Sequence, residues 1–284
     1  LFRTELQFLV RSEMPKRTDL SRQYTRVMDA ANGRPVTFRT LDLGGDKILP
    51  YVDPLPEENP AIGWRAIRIG LDRPALLRYQ LRALLIAGQG RHLRLMFPMV
   101  STVEEYLKAK EWLAVEQARA KRQGTLPPSK LEVGVMLETP SLAWQVDAIC
   151  KHADFVSVGA NDLMQFFFAA DRDNARTASR YDGLHPAALS LLGDIARRCR
   201  KADTPVSICG EMTGRPLEAL CLIALGFDTL SMPVTGVGPV KSALLALDAG
   251  KLAKVLKPVI EGDSPESSVR GAVEAFCAKE RIPV

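Results

Sequence analysis

Apolar residues in this chain alternate between two textures. Short strand candidates occupy residues 36–42, 63–69, 93–98, 133–137, 155–158, 206–210 and 229–233; 133–137 and 155–158 are continuous apolar runs of a length suited to a buried strand, and 36–42 alternates. Longer stretches with helical periodicity separate them. Residues 12–34 are polar and helical in character, ending at Asn32-Gly33. Pro74 sits where a first helical turn accepts proline, and Leu76, Leu77, Leu81, Leu84 and Leu85 then form one apolar stripe. The run from Ser101 to Glu104 reads as a capping box opening a helix that reaches about Gly124. Further helices are expected at 141–152, 186–201 and 216–225, the last closed by Gly226, with closing helices at 239–248 and 265–281. Residues 53–60 are rich in proline and acid and read as an irregular excursion.

Strands that alternate with helices call for a parallel sheet buried on both faces. The seven candidates plus one truncated or lost just before Leu1 make eight, the number for a (β/α)8 TIM barrel. The competing architecture is an open doubly wound sheet. It would carry a glycine-rich phosphate turn after its first strand, and none is found. No repeat or linker interrupts the chain, so 1–284 reads as a single α/β domain. The abrupt opening without Met reads as a C-terminal fragment of a longer, multidomain protein.

Composition narrows the class. A hydrophobic content of 46% supports a large core, and no apolar run is long enough for a membrane span. The net charge of +5 is spread along the chain, without the basic stripe a nucleic-acid binder would show. Cys150, Cys199, Cys209, Cys221 and Cys277 have no C-x-x-C spacing, which suits reduced thiols in a cytoplasmic protein. His92, His152 and His185 show no metal-ligand spacing. Met136, Met164 and Met232, like Trp64 and Trp144, read as packing residues.

The chemistry collects at strand ends. Glu138 follows one strand and Asn161-Asp162 another, so two hard carboxylates stand at matched positions and suit Mg²⁺ completed by substrate oxygens and water. Arg3, Arg39 and Arg65 fall beside predicted strand termini, and Arg172 lies in the loop region after Asp162. Taken singly, each is an ordinary surface or salt-bridge arginine. Together, four guanidiniums with two carboxylates point to a small, highly charged anion gripped by paired N–H donors. Lys47, behind Gly44-Gly45, reads equally as a loop lysine closing on a phosphate or as a surface residue. Cys209 at the next strand end is a nucleophile, inert, or a proton donor to a carbanion, which a thiol can be near neutral pH.

Several runs together resemble the phosphoenolpyruvate-binding barrel of the Enzyme I, or phosphoenolpyruvate–protein phosphotransferase, family. They are FRTE (2–5), FRTLDLGGDKILPY (38–51), ENPAIGWRAIRI (58–69), RLMFPMVSTVEE (94–105), EVGVMLETP (132–140), SVGANDLMQF (157–166), DRDN (171–174) and CGEMTG (209–214). The tail at 233–248 and the ending RIPV look like the nitrogen-related branch. The resemblance implies that Arg3, Arg39, Arg172, Asn161 and Asp162 hold phosphoenolpyruvate. It implies that Glu138 and Asp162 bind Mg²⁺, that Arg65 and Lys47 touch the carboxylate or phosphoryl group, and that Cys209 protonates the enolate to pyruvate. It also implies a histidine acceptor on a separate N-terminal domain, an HPr-like phosphocarrier and a homodimer formed through this domain. None of the three histidines lies in a matching motif, so the fragment is expected not to turn over alone. Two departures stand out: only Leu1-Phe2 remains of the family's G-x-G-L run before Arg3, and Thr213 replaces the usual Ala. Two alternatives are the related barrel of pyruvate phosphate dikinase or phosphoenolpyruvate synthase, and a phosphoenolpyruvate-sensing dimerisation module.

Overall fold

A computed structural model describes residues 1–9, 13–44, 57–172, 174, 176–177, 180–262 and 268–284. In chain order the elements are β1 (Phe2–Arg3), α1 (Leu6–Leu9), α2 (Arg17–Ala30), β2 (Thr37–Arg39), α3 (Ile67–Asp72), α4 (Pro74–Ala87), β3 (His92–Phe97), α5 (Val103–Arg122) and β4 (Lys130–Leu137). There follow α6 (Pro140–Trp144), α7 (Val146–Ile149), β5 (Val156–Gly159), α8 (Ala160–Phe167), α9 (Pro186–Lys201), β6 (Val206–Cys209), α10 (Pro216–Leu225), β7 (Thr229–Ser231), α11 (Val234–Leu245), α12 (Ala249–Glu261) and α13 (Val269–Glu280).

Strand order follows sequence order from β1 to β7, and the registered pairs are parallel. A doubly wound sheet needs a reversal of order somewhere, and there is none. Right-handed crossovers running always in one direction place their helices on one face of the sheet, which is the winding of the (β/α)8 class. The α/β architecture expected from the sequence therefore holds.

One of the strand expectations needs correcting. Residues 63–69 are not a strand: a 3₁₀ turn at Pro60–Ile62 is followed by α3. The truncated first strand is present as β1, a two-residue stub whose register sets Phe2 against Phe38 and Arg3 against Arg39. The helices also differ in detail. The capping box of α5 is shifted by one residue, with Thr102 as N-cap and Glu105 returning to its backbone. The expected helix at 141–152 is broken at Gln145 into α6 and α7. The closing stretch holds α11, α12 and α13, with Pro239 and Pro258 inside the first two of these.

The chain groups into two compact units. The first comprises residues 1–136 with 152–155, and the second 137–151 with 156–284. In the first, β2 and β3 bury Phe38, Leu93, Leu95 and Phe97 completely, and α4 contributes Leu81 and Leu84. Phe2, Tyr24 and Phe38 meet edge to face, with centroids 5.4–6.4 Å apart, anchoring the stub of β1 to α2. Burial pushes the Tyr24 hydroxyl up to about 12, so it stays protonated. In the second unit, Leu189, Leu220, Leu252, Leu256, Val273 and Phe276 form a core among α9, α10, α12 and α13. Among the described residues no helix is long and apolar enough to cross a membrane.

Candidate functional site

The first unit carries a buried charge quartet. Arg39 ends β2, 5% exposed, and reaches the carboxylate of Glu5, which is 3% exposed. A second acid, Asp42, lies 3.4 Å from the same guanidinium. Arg65 grips Asp42 from the other side. Its Nε donates to Oδ1 at 3.1 Å, and its Nη2 to Oδ1 and Oδ2 at 3.0 and 2.9 Å. Its Nη1 donates to the carbonyl of Ala61 at 3.2 Å. Two guanidiniums and two carboxylates thus balance within this quartet, which is how proteins keep charges out of water. The arrangement fixes the rotamers of Arg39 and Arg65 in advance of any ligand.

A neutral frame supports the quartet. The Thr4 hydroxyl donates to the Arg39 carbonyl at 2.8 Å, and Gln80 on α4 donates to Thr4 Oγ1 at 2.6 Å. Gln80 Oε1 accepts from the Leu41 backbone at 2.9 Å. One buried amide therefore ties β1 and the segment after β2 to α4. Gly44 has a φ of +100°, and a Cβ there would run into the Trp64 carbonyl, so the chain before Arg65 passes closer than any larger residue permits. Ala66, with a φ of +52° and ψ of −121°, turns the backbone straight from Arg65 into α3. That backbone is uncommon for a residue with a Cβ and is held by a bond from its N–H to the Leu43 carbonyl at 2.8 Å.

Arg3 pairs in register with Arg39 yet remains exposed. Arg65 does not end a strand, contrary to expectation, because residues 63–69 turn into α3. Lys47 lies outside the described residues.

The second unit presents the remaining groups at the C-terminal ends of its strands. Glu138 directly follows β4 and is 1% exposed. Asp162 stands in the first turn of α8, where the helix dipole favours a negative charge. Arg172 approaches Asp162 at 3.6 Å with about two-fifths of its side chain exposed. Asn161, also on α8, accepts the backbone N–H of Glu211 through Oδ1 at 3.0 Å. Gly210 makes this bond possible: it has a φ of +136°, and a Cβ would fall 2.8 Å from that same Oδ1. Register places Cys209, half-buried, between Gly159 and Ser231. The Thr213 hydroxyl lies 2.7 Å from the carbonyls of both Gly210 and Ser231, so this substitution binds the turn after Cys209 to β7.

The donors that would meet a metal here are carboxylates. Glu138 precedes α6, which packs against α8 and hence against the helix carrying Asp162. Among the described residues no group of three or more His, Cys, Asp or Glu side chains could hold an ion. Glu138 and Asp162 offer hard carboxylate oxygens, the donor chemistry of a cation such as Mg²⁺ that takes few protein oxygens and the rest from substrate and water.

Two of the three histidines have structural partners. His185 caps α9 by accepting the Ala187 N–H at 3.2 Å, and His92 meets Glu132 at 2.6 Å. Trp144, expected to pack, is 83% exposed. Sequence reasoning missed Glu5, Asp42 and Gln80. Glu5 and Asp42 stood inside the quoted runs FRTE and FRTLD, but an acid carries no mark of burial until its arginine partners are placed.

The family model described as "PEP-utilising enzyme, PEP-binding domain" matches residues 1–249. A phosphoenolpyruvate-protein phosphotransferase of Geobacillus stearothermophilus is 40% identical over 276 residues, covering 97% of this chain and 48% of that protein. A phosphoenolpyruvate-dependent phosphotransferase system protein of Escherichia coli K12 is 38% identical over 277 residues, covering 97% of this chain and 37% of that one. The chain thus spans half or less of these two relatives. Among solved structures, an aldolase/citrate lyase family protein of Burkholderia cenocepacia J2315 overlaps with a TM-score of 0.45 at 18% identity, covering 84% of this chain and 80% of that one.

Proposed function

Since this chain belongs to the PEP-binding domain family of PEP-utilising enzymes, we propose that it binds phosphoenolpyruvate and supports transfer of the phosphoryl group to a histidine on a separate N-terminal domain. The observation that supports the reading is the buried, pre-oriented Arg39 at the end of β2 in the first unit, with Glu138, Asn161 and Asp162 following strands in the second, all in segments that match the family. Arg3, Arg39 and Arg172, with Asn161, are assigned to the ligand's carboxylate and phosphoryl oxygens. Arg65 holds Asp42 and through it the position of Arg39; Lys47 is assigned to the phosphoryl group.

Glu138 and Asp162 would hold Mg²⁺, which when bound supplies neutralisation of phosphoryl charge. The residues of the chain do the rest. The guanidiniums stabilise enolate and phosphoryl charge as the P–O bond breaks, and Arg39 does so without reorganising because its rotamer is already fixed. Cys209 Sγ gives a proton to the methylene carbon of the enolate, yielding pyruvate. The acceptor histidine would pass the phosphoryl group on to an HPr-like phosphocarrier, and the domain would self-associate as a homodimer in the cytoplasm. The 233–248 tail supports assignment to the nitrogen-related branch.

The test is pyruvate release. Incubated alone with phosphoenolpyruvate and Mg²⁺, the chain should release none above background. Adding the N-terminal domain of the same protein should start release, and Cys209→Ala should abolish it while ligand still binds. Steady release by the chain alone would refute the division of labour. Full activity of the Cys209→Ala variant would remove the proton-donor assignment.

A further inference from the structure

Two thiols of the second unit, at the opposite end of β5 and β6 from Cys209, face one another. Cys150 caps the C-terminus of α7, and Cys199 lies in the last turn of α9. Their sulfurs are 3.8 Å apart, across a separation of 49 residues. Cys199 is fully buried and Cys150 is half-buried, so one member of the pair is open to small reagents. The neighbouring Arg198 clamps the same helices. It donates to both oxygens of Asp147 at 3.2 and 3.0 Å and to the carbonyls of Ala143 and Trp144 at 3.1 and 3.3 Å. On the other flank the Thr204 hydroxyl donates to the Cys150 carbonyl at 3.4 Å. The pair is therefore held in place on a rigid frame while one sulfur stays accessible.

We propose that Cys150 and Cys199 form a reversible dithiol–disulfide site oxidised by hydroperoxides. The Cys150 thiolate attacks the distal peroxide oxygen, the O–O bond breaks, and sulfenic acid and an alcohol (water, from hydrogen peroxide) result. Cys199 then attacks the Cys150 sulfur, its proton leaves with the hydroxyl as water, and the S–S bond forms. Two thiols lose two electrons and two protons; the peroxide takes up both. The sulfurs must close from 3.8 Å to about 2.05 Å for the bond to form. The roles follow from the surroundings. The hydrogen bond with Cys199 lowers the Cys150 thiol to about 7, whereas the same contact together with burial pushes the Cys199 thiol up. The other buried thiols, Cys221 and Cys277, are fully or almost fully enclosed.

The site is independent of the proposed phosphoenolpyruvate chemistry, and its test uses neither substrate nor metal. The folded chain is treated with micromolar hydrogen peroxide, quenched in alkylating reagent, unfolded and digested. The expected product is one cross-linked peptide pair containing Cys150 and Cys199, with alkylation lost at these two of the five cysteines and restored by dithiothreitol. With Cys199→Ser, dimedone should label Cys150 instead. With Cys150→Ser, Cys199 should remain a free thiol. Oxidation of Cys209 ahead of the pair, with Cys150 and Cys199 still fully alkylated, would overturn the proposal in the wild-type chain without reliance on any variant.

Discussion

Asp42→Asn is the sharpest probe of the buried quartet. The wild-type carboxylate is 1% exposed and receives three N–H bonds from Arg65, itself 4% exposed, while Arg39 stands 3.4 Å away. Asparagine has nearly the same shape and keeps one carbonyl oxygen, but the quartet then holds two guanidiniums against one carboxylate. Breaking a buried pair from one side costs about 3–5 kcal/mol, and the retained oxygen places this change near the lower end. For a protein of this size that is a fall in melting temperature of roughly 6–12 °C. Thermal denaturation followed by far-UV circular dichroism reads it. Asp19→Asn provides the control, because the Arg22–Asp19 pair spans 3.6 Å with side chains 65% and 35% exposed. An exposed pair is worth at most about 1 kcal/mol. Equal shifts for the two variants would mean that Asp42 is not acting as a buried counter-charge, and the pre-organisation argument for Arg39 would fail with it.

Other expectations are equally open to measurement. Arg172→Ala should leave the melting temperature almost unchanged, since its pair with Asp162 is partly exposed. It should nonetheless weaken phosphoenolpyruvate binding about 10- to 100-fold by calorimetry, the worth of a charge-assisted hydrogen bond. Thr102→Ala removes the N-cap of α5 and should lower unfolding stability by about 1 kcal/mol in urea titrations. The hydrogen-bonded guanidinium of Arg270 holds the Asp182 carboxyl below the usual carboxylate range. The folded state therefore prefers the ionised form. The stability gained is present above the unfolded value near about 4 and is lost as pH falls through the lower folded value. Stability measured from pH 6 down to 2 should show this acid limb in the wild type and a shallower one in Arg270→Gln. An unchanged limb would assign the acid sensitivity elsewhere.

Much of the architecture was readable because buried parallel strands are continuous apolar runs, and β3, β4, β5 and β6 lie within a few residues of where those runs fall. The run at 63–69 misled because strand and helix periods diverge little over so short a stretch. The positive φ of Ala66, which turns the chain into a helix burying Ile67 and Gly70 one turn apart, leaves no mark in composition. The α12 helix shows Leu252, Leu256 and Val259 at helical spacing, but Pro258 near its end disguises it. Candidate ligand groups were visible as arginines and acids at strand ends. Their counter-charges were not. Whether Asp42 is a surface acid or the buried partner of Arg65 depends on a fold that brings together residues 23 apart in sequence.

Phosphoenolpyruvate binding, together with the Mg²⁺ dependence proposed for it, tests the account most directly. Calorimetry with and without Mg²⁺ on the wild-type chain and on Glu138→Ala should show saturable heat that depends on Mg²⁺ in the wild type and disappears in the variant. Equal binding in all four experiments would strike out the roles of Glu138 and Mg²⁺, and no binding by the folded wild-type chain with Mg²⁺ present would contradict the proposed function itself.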